Sequence, residues 1–398
     1  MTDFERVLDW FKTGTLARPG AGEESFVDLV RALLRLAGAG GMAGGKGVET
    51  LMRRIGAAEH YVFVLIDGLG ANQLERLFAP DSFARRHVAG RLGTVWPSTT
   101  ATALTTLATG DWPAAHGVGG WWTYLADRDL SVVTLPFQQR GTNRPLGLLG
   151  VRADELFPLP SVWPRMRHAP RTLLPAKLVH STYSTYSRGG TAAEGYGELA
   201  ELPERIAGRV RSAGGPTLTY LYLPQLDTLS HKKGPDAPEV RLSIPALDCL
   251  LSDLAGALAG KARLVVTADH GQVAAPRSRW FFVPPTNGLA ERLRCRPSGE
   301  PSVPFFHVVD GQADAFADAF RTRFGEHFAL LTPDEVERLG LLGPPPLSEA
   351  IRGRLGTFVG IAPQPAKFLV LPADPGAGNL GVHGGLTHDE MFVPLILA

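Results

Sequence analysis

Short apolar runs, separated by polar and helical stretches, are the dominant pattern of this chain. Five runs have the length and the unbroken apolar character of strands that are buried on both faces of a parallel sheet. They are residues 61–66, 217–223, 263–267, 367–371 and 392–397. A helical period covers residues 244–258, between two of these runs. This alternation predicts an α/β fold with a mostly parallel central sheet flanked by helices on both faces.

The remaining segments predict how the chain is divided. The first sixty residues have a helical pattern, clearest over 25–36, and we expect them to pack on the sheet. Residues 124–215 are rich in Pro, Arg and Ser without a clear period, whereas 276–365 contain a short strand–helix–strand–helix pattern. We therefore predict a core of residues 1–275 and 366–398 with an irregular insertion at 124–215. Residues 276–365 are predicted to form an inserted, smaller α+β cap.

Composition and charge exclude several classes of protein. Of 398 residues, 44% are hydrophobic and 20% are charged, so the disordered and fibrous classes fit poorly. Forty basic residues oppose 39 acidic ones, which leaves no overall field to attract a nucleic-acid polymer or a membrane surface. Any anionic substrate must therefore be held by a local site. Cys249 and Cys295 are too few for a disulfide framework or a cysteine-based zinc cluster.

The amino-terminal segment carries acidic residues and an arginine where a secretory signal needs a basic start and an apolar stretch. No run reaches the roughly 18 apolar residues of a membrane span. We therefore expect a cytoplasmic protein without a membrane partner. The sequence does not indicate an oligomeric state.

Carboxylates and histidines follow three of the apolar runs and precede the last one. These residues are Asp67, Asp227, His231, Asp269, His270 and His383. Ligands of open α/β sheets bind beyond the carboxyl ends of the strands, so we expect these side chains to converge. Taken singly, each Asp is also a common turn or helix-capping residue. Together they offer mixed oxygen and imidazole ligands suited to zinc or a similar divalent ion, and six ligands imply two ions.

A hydroxyl-rich segment, Ser98-Thr99-Thr100, stands at the start of a predicted helix that ends near Gly110. Backbone N–H groups and the positive end of a helix favour an alkoxide and an incoming phosphoryl oxygen. Ser98 or Thr99 could instead cap the helix without any chemical role. A metal ion near one of these hydroxyls would let it act as a nucleophile at neutral pH.

Four motifs now resemble the alkaline phosphatase superfamily, and within it the type I phosphodiesterase and nucleotide pyrophosphatase branch. They are an Asp after the first strand, a nucleophile three residues after a Pro and ten before a Gly, Asp-x-x-x-His-Lys-x-Gly-Pro, and Asp-His-Gly with a later Gly-x-His-Gly. The matching residues are Asp67, Thr100 between Pro97 and Gly110, Asp227 to Pro235, Asp269 to Gly271, and His383. The third motif is the most specific match.

The resemblance implies an alkaline phosphatase-like fold and two zinc ions per chain, although the same ligands accept manganese or iron in other members. One ion would be held by Asp227, His231 and His383. The second would be held by Asp67, Asp269, His270 and the oxygen of Thr100. Thr100 would be the nucleophile and would form a phosphothreonine intermediate. The implied substrate is a small phosphorylated molecule such as a nucleotide.

Two departures from the family pattern leave alternatives open. The phosphodiesterases place an oxyanion-binding Asn shortly after the His116-Gly117 corner, where this chain has 118–122, Val-Gly-Gly-Trp-Trp. The ending at 384–391 is closer to phosphomutase-type members. Hydrolysis of a phosphodiester or pyrophosphate bond is therefore the leading prediction. A phosphomonoesterase, phosphonate hydrolase or phosphomutase on the same site, and a non-catalytic binder of phosphorylated ligands, are alternatives. A sulfatase is disfavoured, because no Cys stands where its nucleophile is needed.

Several further residues could have either a functional or a structural role. His116 and His388 could reach the site or satisfy backbone carbonyls. Tryptophan and tyrosine side chains could stack on a leaving group or pack in the core, and lysines could neutralise a phosphate or lie in solvent. These are Trp121, Trp122, Tyr124, Lys232 and Lys233.

Overall fold

A computed structural model describes residues 1–20, 24–374 and 376–398. Its strands are β1 (His60–Ile66), β2 (Val88–Gly93), β3 (Trp122–Leu125), β4 (Leu130–Val133), β5 (Gln138–Gln139), β6 (Ala169–Pro175), β7 (Ala192–Tyr196), β8 (Thr217–Leu223), β9 (Arg263–Thr267), β10 (Val273–Ala274), β11 (Trp280–Val283), β12 (Ser298–Glu300), β13 (Val303–Phe306), β14 (Ala329–Leu331), β15 (Phe358–Ile361), β16 (Lys367–Val370), β17 (Gly381–Val382) and β18 (Phe392–Leu397).

The helices alternate with the strands over much of the chain. They are α1 (Asp3–Lys12), α2 (Phe26–Leu36), α3 (Lys46–Ile55), α4 (Ala71–Leu77), α5 (Phe83–Arg86), α6 (Thr100–Thr109), α7 (Pro113–His116), α8 (Ala153–Leu156), α9 (Thr182–Ser187), α10 (Leu202–Arg211), α11 (Gln225–Lys233), α12 (Pro238–Leu258), α13 (Ala313–Phe324), α14 (Pro333–Leu339), α15 (Glu349–Leu355) and α16 (His388–Met391).

The main sheet has the strand order β2-β18-β9-β1-β8-β6-β7. β1 pairs in parallel with both β8 and β9, and β6 pairs in parallel with β8 and β7. Every residue of β1 and β8 is buried, as the unbroken apolar runs predicted. A large apolar core surrounds the sheet and includes the buried faces of α2, α10 and α12. The predicted fold class, a mostly parallel sheet flanked by helices, is confirmed.

Two predictions about individual strands are wrong. The run 392–397 forms β18, but β18 is antiparallel to β9 and β2. The run 367–371 contains β16, which pairs with β11 in a separate two-stranded sheet. An apolar run records burial on both faces, but it does not record the direction of the strand or the sheet that the strand joins.

A second sheet joins strands from both long segments between the predicted core elements. Its order is β14-β15-β13-β12-β3-β4-β5, and its pairs are antiparallel. The segment 124–215, whose sequence shows no clear period, also supplies β6 and β7 to the main sheet. The strand–helix–strand–helix pattern predicted within 276–365 is present as β13, α13, β14 and α14. The predicted limits of the core and the cap stay a prediction.

Local sequence explains where α2 begins and where α6 ends. α2 begins with a capping box, in which the Ser25 hydroxyl accepts from the backbone N–H of Asp28. α6 is buried along its whole length and consists of threonine, alanine and leucine. It ends at Gly110, whose φ of 74° is readily adopted by glycine. Among the described residues, no helix is both long and apolar enough to span a bilayer.

A cluster of phenylalanines stabilises the region around α13. Phe320 is fully buried, and its ring lies within 6.1 Å, centroid to centroid, of five other phenylalanine rings. We predict that Phe320→Ala lowers the free energy of unfolding by about 3–5 kcal/mol, because it removes apolar area and leaves a cavity. Urea unfolding followed by tryptophan fluorescence measures this loss. Phe282→Ala, at a ring that is 50% exposed, is the control and should change the value by less than about 0.5 kcal/mol. Equal losses in both variants would contradict this assignment of the core.

Candidate active site

Three neighbouring strands place their following residues at one edge of the main sheet. β1 lies between β8 and β9, and Asp67 directly follows β1. Asp269 stands two residues beyond β9, and Asp227 lies in the first turn of α11, just after β8. Because parallel strands end at the same edge, these carboxylates converge there as the sequence predicted.

His383 reaches the same edge through two backbone pairings. β17 pairs with β10, so Val382 lies opposite Val273, three residues after His270. An isolated antiparallel bridge joins Gly384 to Ser98, in the loop before α6. These pairings bring the carboxyl-terminal motif against both the Asp-His motif and the start of α6.

The first group of candidate ligands, which we call the Asp269 cluster, consists of Asp67, Asp269 and His270. One donor atom from each lies within 4.8 Å of the others. Thr100, the first residue of α6, borders this cluster. Its Oγ1 is 3.1 Å from His270 Nε2 and 3.5 Å from Asp67 Oδ1. The predicted nucleophile therefore lies within hydrogen-bond distance of two predicted ligands.

The second group, the His383 cluster, consists of Asp227, His231 and His383. Its donor atoms also lie within 4.8 Å of one another. His231 Nε2 is 3.2 Å from Asp227 Oδ1 and 3.2 Å from His383 Nε2. The one-turn spacing of Asp227 and His231 on α11 places both side chains on one face of the helix.

Backbone carbonyls orient all three histidines in the same way. The Nδ1 atoms lie against carbonyl oxygens in the pairs His231–Gly381 (2.8 Å), His270–Gly271 (3.1 Å) and His383–Ser98 (3.2 Å). A carbonyl oxygen only accepts, so Nδ1 carries the proton and the Nε2 lone pair faces the clusters. Histidines that bind a metal through Nε2 are held by a carbonyl or carboxylate at Nδ1 in this manner.

The carboxylates are buried close to one another. Burial, together with the charges of Asp269 and Asp227, raises the pKa of Asp67 well above its usual range. The Tyr222 hydroxyl donates to Asp67 Oδ2, and Gln272 Nε2 donates to Asp227 Oδ1 at 2.9 Å. Among the described residues, buried Asp269 Oδ2 has no hydrogen-bond partner. A buried carboxylate oxygen without a donor requires a cation or another ligand.

Both clusters therefore fit divalent metal ions. Burial and the neighbouring His270 and His231 lower the pKa of His383 well below its usual value, so this imidazole is neutral and can act as a ligand. Each cluster combines carboxylate oxygen with imidazole nitrogen, a donor set that zinc accepts. The unpartnered Asp269 oxygen is the most direct sign that an ion belongs in this site.

Two cavities meet at Thr100, Asp227 and Trp121. The first, of about 360 Å³, is walled mainly by apolar and aromatic side chains, including Leu104, Leu107, Trp163, Leu174, Tyr183 and Tyr220. The second, of about 310 Å³, is lined by residues that include Glu300, Lys367, Asn379 and His231. Trp121 borders both cavities and Trp122 borders the second, so these tryptophans lie where they could contact a ligand.

Other residues singled out from the sequence lie away from the two clusters. His116 is buried, and its ring nitrogens contact Thr106 Oγ1 and accept from Val118 N–H. Burial lowers the pKa of His116 to about 3, which suits a structural imidazole. The Tyr124 hydroxyl donates to Asp129 Oδ1. His388 is exposed and packs on Phe392, and both lysines of α11 are exposed.

Sequence reasoning missed three residues of this site. The Tyr222 hydroxyl donates to Asp67 but stands in an apolar run, where the sequence shows no sign of a polar role. Gln272 donates to Asp227 and directly follows the Asp-His-Gly motif, of which it is not a part. Glu300 lies in the three-residue strand β12, ahead of the strand–helix pattern read from the sequence of this segment. Its Oε1 accepts from Thr99 Oγ1 at 2.6 Å and from Trp121 N–H at 2.8 Å. Burial raises the pKa of Glu300 to about 7.

Comparison with known families identifies the chain. A family model described as type I phosphodiesterase / nucleotide pyrophosphatase matches residues 61–363, which cover 124–215, nearly all of 276–365 and every candidate ligand except His383. The chain belongs to this family. The resemblance to type I phosphodiesterases and nucleotide pyrophosphatases is thereby confirmed, and the chain is a phosphoric ester hydrolase. Members of this family are metal-dependent. No curated protein sequence matches it significantly.

Solved structures agree with the family's fold. Murine ectonucleotide pyrophosphatase/phosphodiesterase 5 is 18% identical, with a TM-score of 0.62, over 84% of this chain and 87% of that one. The human protein of the same name is 18% identical, with a TM-score of 0.63, over 85% and 87%. Phosphonoacetate hydrolase from Sinorhizobium meliloti is 19% identical, with a TM-score of 0.57, over 85% and 89%. The murine protein has also been solved with AMP and the hydrolase with phosphonoacetate.

We predict that a divalent cation stabilises this phosphodiesterase-family protein, because it neutralises buried carboxylates in the folded state only. Zinc at about a hundredfold excess over its dissociation constant should stabilise the metal-free protein by about 2.7 kcal/mol. Thermal unfolding with and without zinc measures the effect. Asp269→Asn and His383→Ala should reduce the stabilisation, whereas His388→Ala, at an exposed histidine, should retain it. A zinc effect that is identical in all four proteins would contradict the assignment of these clusters.

Proposed function

We propose that the protein hydrolyses phosphodiester or pyrophosphate bonds of a small phosphorylated substrate, with Thr100 as the nucleophile. The observation that carries this proposal is the position of Thr100, which borders the Asp269 cluster and opens into two cavities of different character. A diester has two substituents on phosphorus, and two cavities that meet at the nucleophile offer a place for each. A nucleotide is one such substrate class.

The two clusters would each hold one divalent ion, zinc by preference and manganese or iron as alternatives. Asp227, His231 and His383 would hold one ion. Asp67, Asp269, His270 and the Thr100 oxygen would hold the other. Bound ions of this kind neutralise phosphoryl oxygens and favour the ionised form of a hydroxyl nucleophile.

The helix that Thr100 begins supports its proposed role as a nucleophile. As the first residue of α6, it lies at the positive end of the helix dipole, where anionic oxygen is favoured. Thr100 is 8% exposed, so its surroundings exclude most water and strengthen electrostatic interactions at this position.

The proposed reaction has two steps. Thr100 Oγ1 forms a bond to phosphorus while the bond to the leaving oxygen breaks, and the proton of Thr100 ends on the leaving alcohol or phosphate. Water then attacks phosphothreonine, which restores the threonine hydroxyl and releases a phosphomonoester or phosphate. The enzyme is unchanged after both steps, and one water is consumed.

The cavities suggest unlike substituents on the phosphorus atom. The side chains of Leu107, Trp163 and Tyr183 give the first cavity an apolar wall that suits an aryl or alkyl group. Glu300 and Lys367 give the second cavity polar groups that suit a hydroxylated or charged substituent. A phosphonate or monoester substrate would fill one of the two cavities.

We predict that Thr100→Ala lowers kcat for bis-p-nitrophenyl phosphate by at least about a thousandfold, because the bond-forming oxygen is absent. Absorbance of released p-nitrophenol measures the rate in zinc-loaded protein, beside p-nitrophenyl phosphate as the monoester. Acid quenching and mass spectrometry should find phosphate on the Thr100 peptide of the wild type.

Thr109→Ala is the matched control, because it removes a buried hydroxyl from the other end of the same helix. Its rate should stay near that of the wild type. Wild-type turnover by the Thr100→Ala protein would refute the nucleophile. A preference for the monoester would refute the diester reading and favour a phosphatase.

The apolar cavity makes a separate prediction. Leu107→Trp should fill part of this cavity and lower kcat/KM for bis-p-nitrophenyl phosphate by about tenfold, since a large substituent loses its space. Methyl p-nitrophenyl phosphate, which has one small substituent, should lose less than about threefold. Leu148→Trp, at a side chain that is 70% exposed, is the control. Equal losses for both substrates would contradict a substituent site in this cavity.

A further inference from the structure

The family Asn that binds a phosphoryl oxygen is absent from this chain, and a buried carboxylate stands beside the nucleophile loop instead. Glu300 is 6% exposed and belongs to β12 of the second sheet. Its Oε1 accepts from the Thr99 hydroxyl at 2.6 Å and from Trp121 N–H at 2.8 Å. One oxygen thus links the residue before Thr100 to the tryptophan that borders both cavities.

The Thr99 hydroxyl, like those of Ser348 and Thr387 before α15 and α16, does not cap the helix that it precedes. Thr99 has φ −138° and ψ 149°, the extended conformation of an N-cap residue, yet its side chain makes no capping hydrogen bond. Hydroxyls at comparable positions accept a backbone N–H from the first turn of α1, α2, α5, α9 and α14. These are Thr2, Ser25, Ser82, Ser181 and Thr332. At α6, the threonine hydroxyl donates to Glu300 instead.

A capping hydroxyl would have consequences at this helix that it lacks elsewhere. A hydroxyl cap accepts from the second or third N–H of its helix. At α6 the Thr102 N–H already donates to the Thr99 carbonyl oxygen at 3.1 Å. A cap would therefore take the Ala101 N–H, beside Thr100, where a bound phosphoryl group places its oxygens. This N–H group is a donor that could replace the missing Asn side chain. Engagement of the Thr99 hydroxyl by Glu300 leaves it free.

We propose that Glu300 is a positioning residue that holds the Thr99 hydroxyl away from the start of α6 and so keeps the Ala101 N–H there open to a phosphoryl oxygen. The inference rests on the proposed function, because it takes Thr100 as the point where the phosphoryl group binds. Glu300 acts through Thr99 and Trp121.

The second sheet contributes to the site through the hairpin of β12 and β13. β12 pairs with β3, and Gly299 of β12 lies opposite Trp122 of β3. The second sheet therefore fixes Glu300 relative to the tryptophans. Ser302 Oγ donates to the carbonyl oxygen of His383 from the turn that follows β12. The same hairpin therefore contacts both the nucleophile loop and the His383 motif.

Substitutions at both partners test the proposal. Glu300→Ala removes the acceptor, frees Thr99 to cap α6, and should weaken binding of inorganic phosphate by about tenfold or more. Glu300→Gln keeps an accepting oxygen and should bind phosphate within about threefold of the wild type. In the double variant Thr99→Val/Glu300→Ala no hydroxyl can cap the helix, so most of the lost affinity should return. Calorimetric titration of the zinc-loaded protein measures all four, with kcat and KM for bis-p-nitrophenyl phosphate beside them.

The double variant separates this role from a structural one. Trp121 N–H lacks its partner in both Glu300→Ala and the double variant, so a difference between them reports the Thr99 hydroxyl alone. Glu335→Ala is the matched control, because Glu335 also accepts from a threonine hydroxyl and a backbone N–H, at the start of α14. It should bind phosphate as the wild type does. If Glu300→Ala fails to fold, Glu300→Asp replaces it, because the aspartate side chain is shorter but keeps the charge. Glu300→Asp is then measured alone and in combination with Thr99→Val.

Two results would overturn the proposal. One is an equal loss of affinity in Glu300→Ala and the double variant, and the other is a loss in Glu300→Gln as large as in Glu300→Ala. Failure of the proposed function has a different signature, since the wild type would then hydrolyse neither ester. Phosphate titration would still rank the variants.

Discussion

The site depends on one electrostatic constraint, the convergence of three carboxylates at a single edge of the sheet. Asp67, Asp227 and Asp269 meet there because they follow adjacent parallel strands. Asp67 and Asp269 are buried and the Asp227 side chain is 13% exposed, so little water screens their repulsion. Three imidazole Nε2 atoms face the same space, so each can add a nitrogen donor to the carboxylate oxygens. Divalent cations satisfy both sets of groups at once, and Thr100 lies where they would be bound.

Both sheets contribute residues to this site. The main sheet supplies the carboxylates, the Asp-His pair and the helix that begins at Thr100. The second sheet supplies Glu300 and the strand that follows Trp121, which together border the space in front of Thr100. Variation in the second sheet could alter the substrate while the ligands stay fixed, because sites on one fold vary in chemistry with the segments added to them.

Much of this arrangement could be predicted from the sequence, because its signals are local. Buried runs mark β1, β8 and β9, and the Asp or His residues beyond them form short motifs of fixed spacing. The rest depends on long-range pairing. Nothing in the run at 392–397 records that β18 is antiparallel, and Glu300 stands in a three-residue strand without a period. Its role arises from contacts with Thr99 and Trp121, which are 201 and 179 residues away in the chain.

Anomalous diffraction at the zinc edge, from crystals of the zinc-loaded protein, tests the central claim most directly. The account predicts two peaks, one among Asp67, Asp269 and His270 and the other among Asp227, His231 and His383. It also predicts that the Thr100 oxygen lies beside the first peak. A single peak, or peaks outside these two clusters, would contradict the two-metal site and the chemistry derived from it.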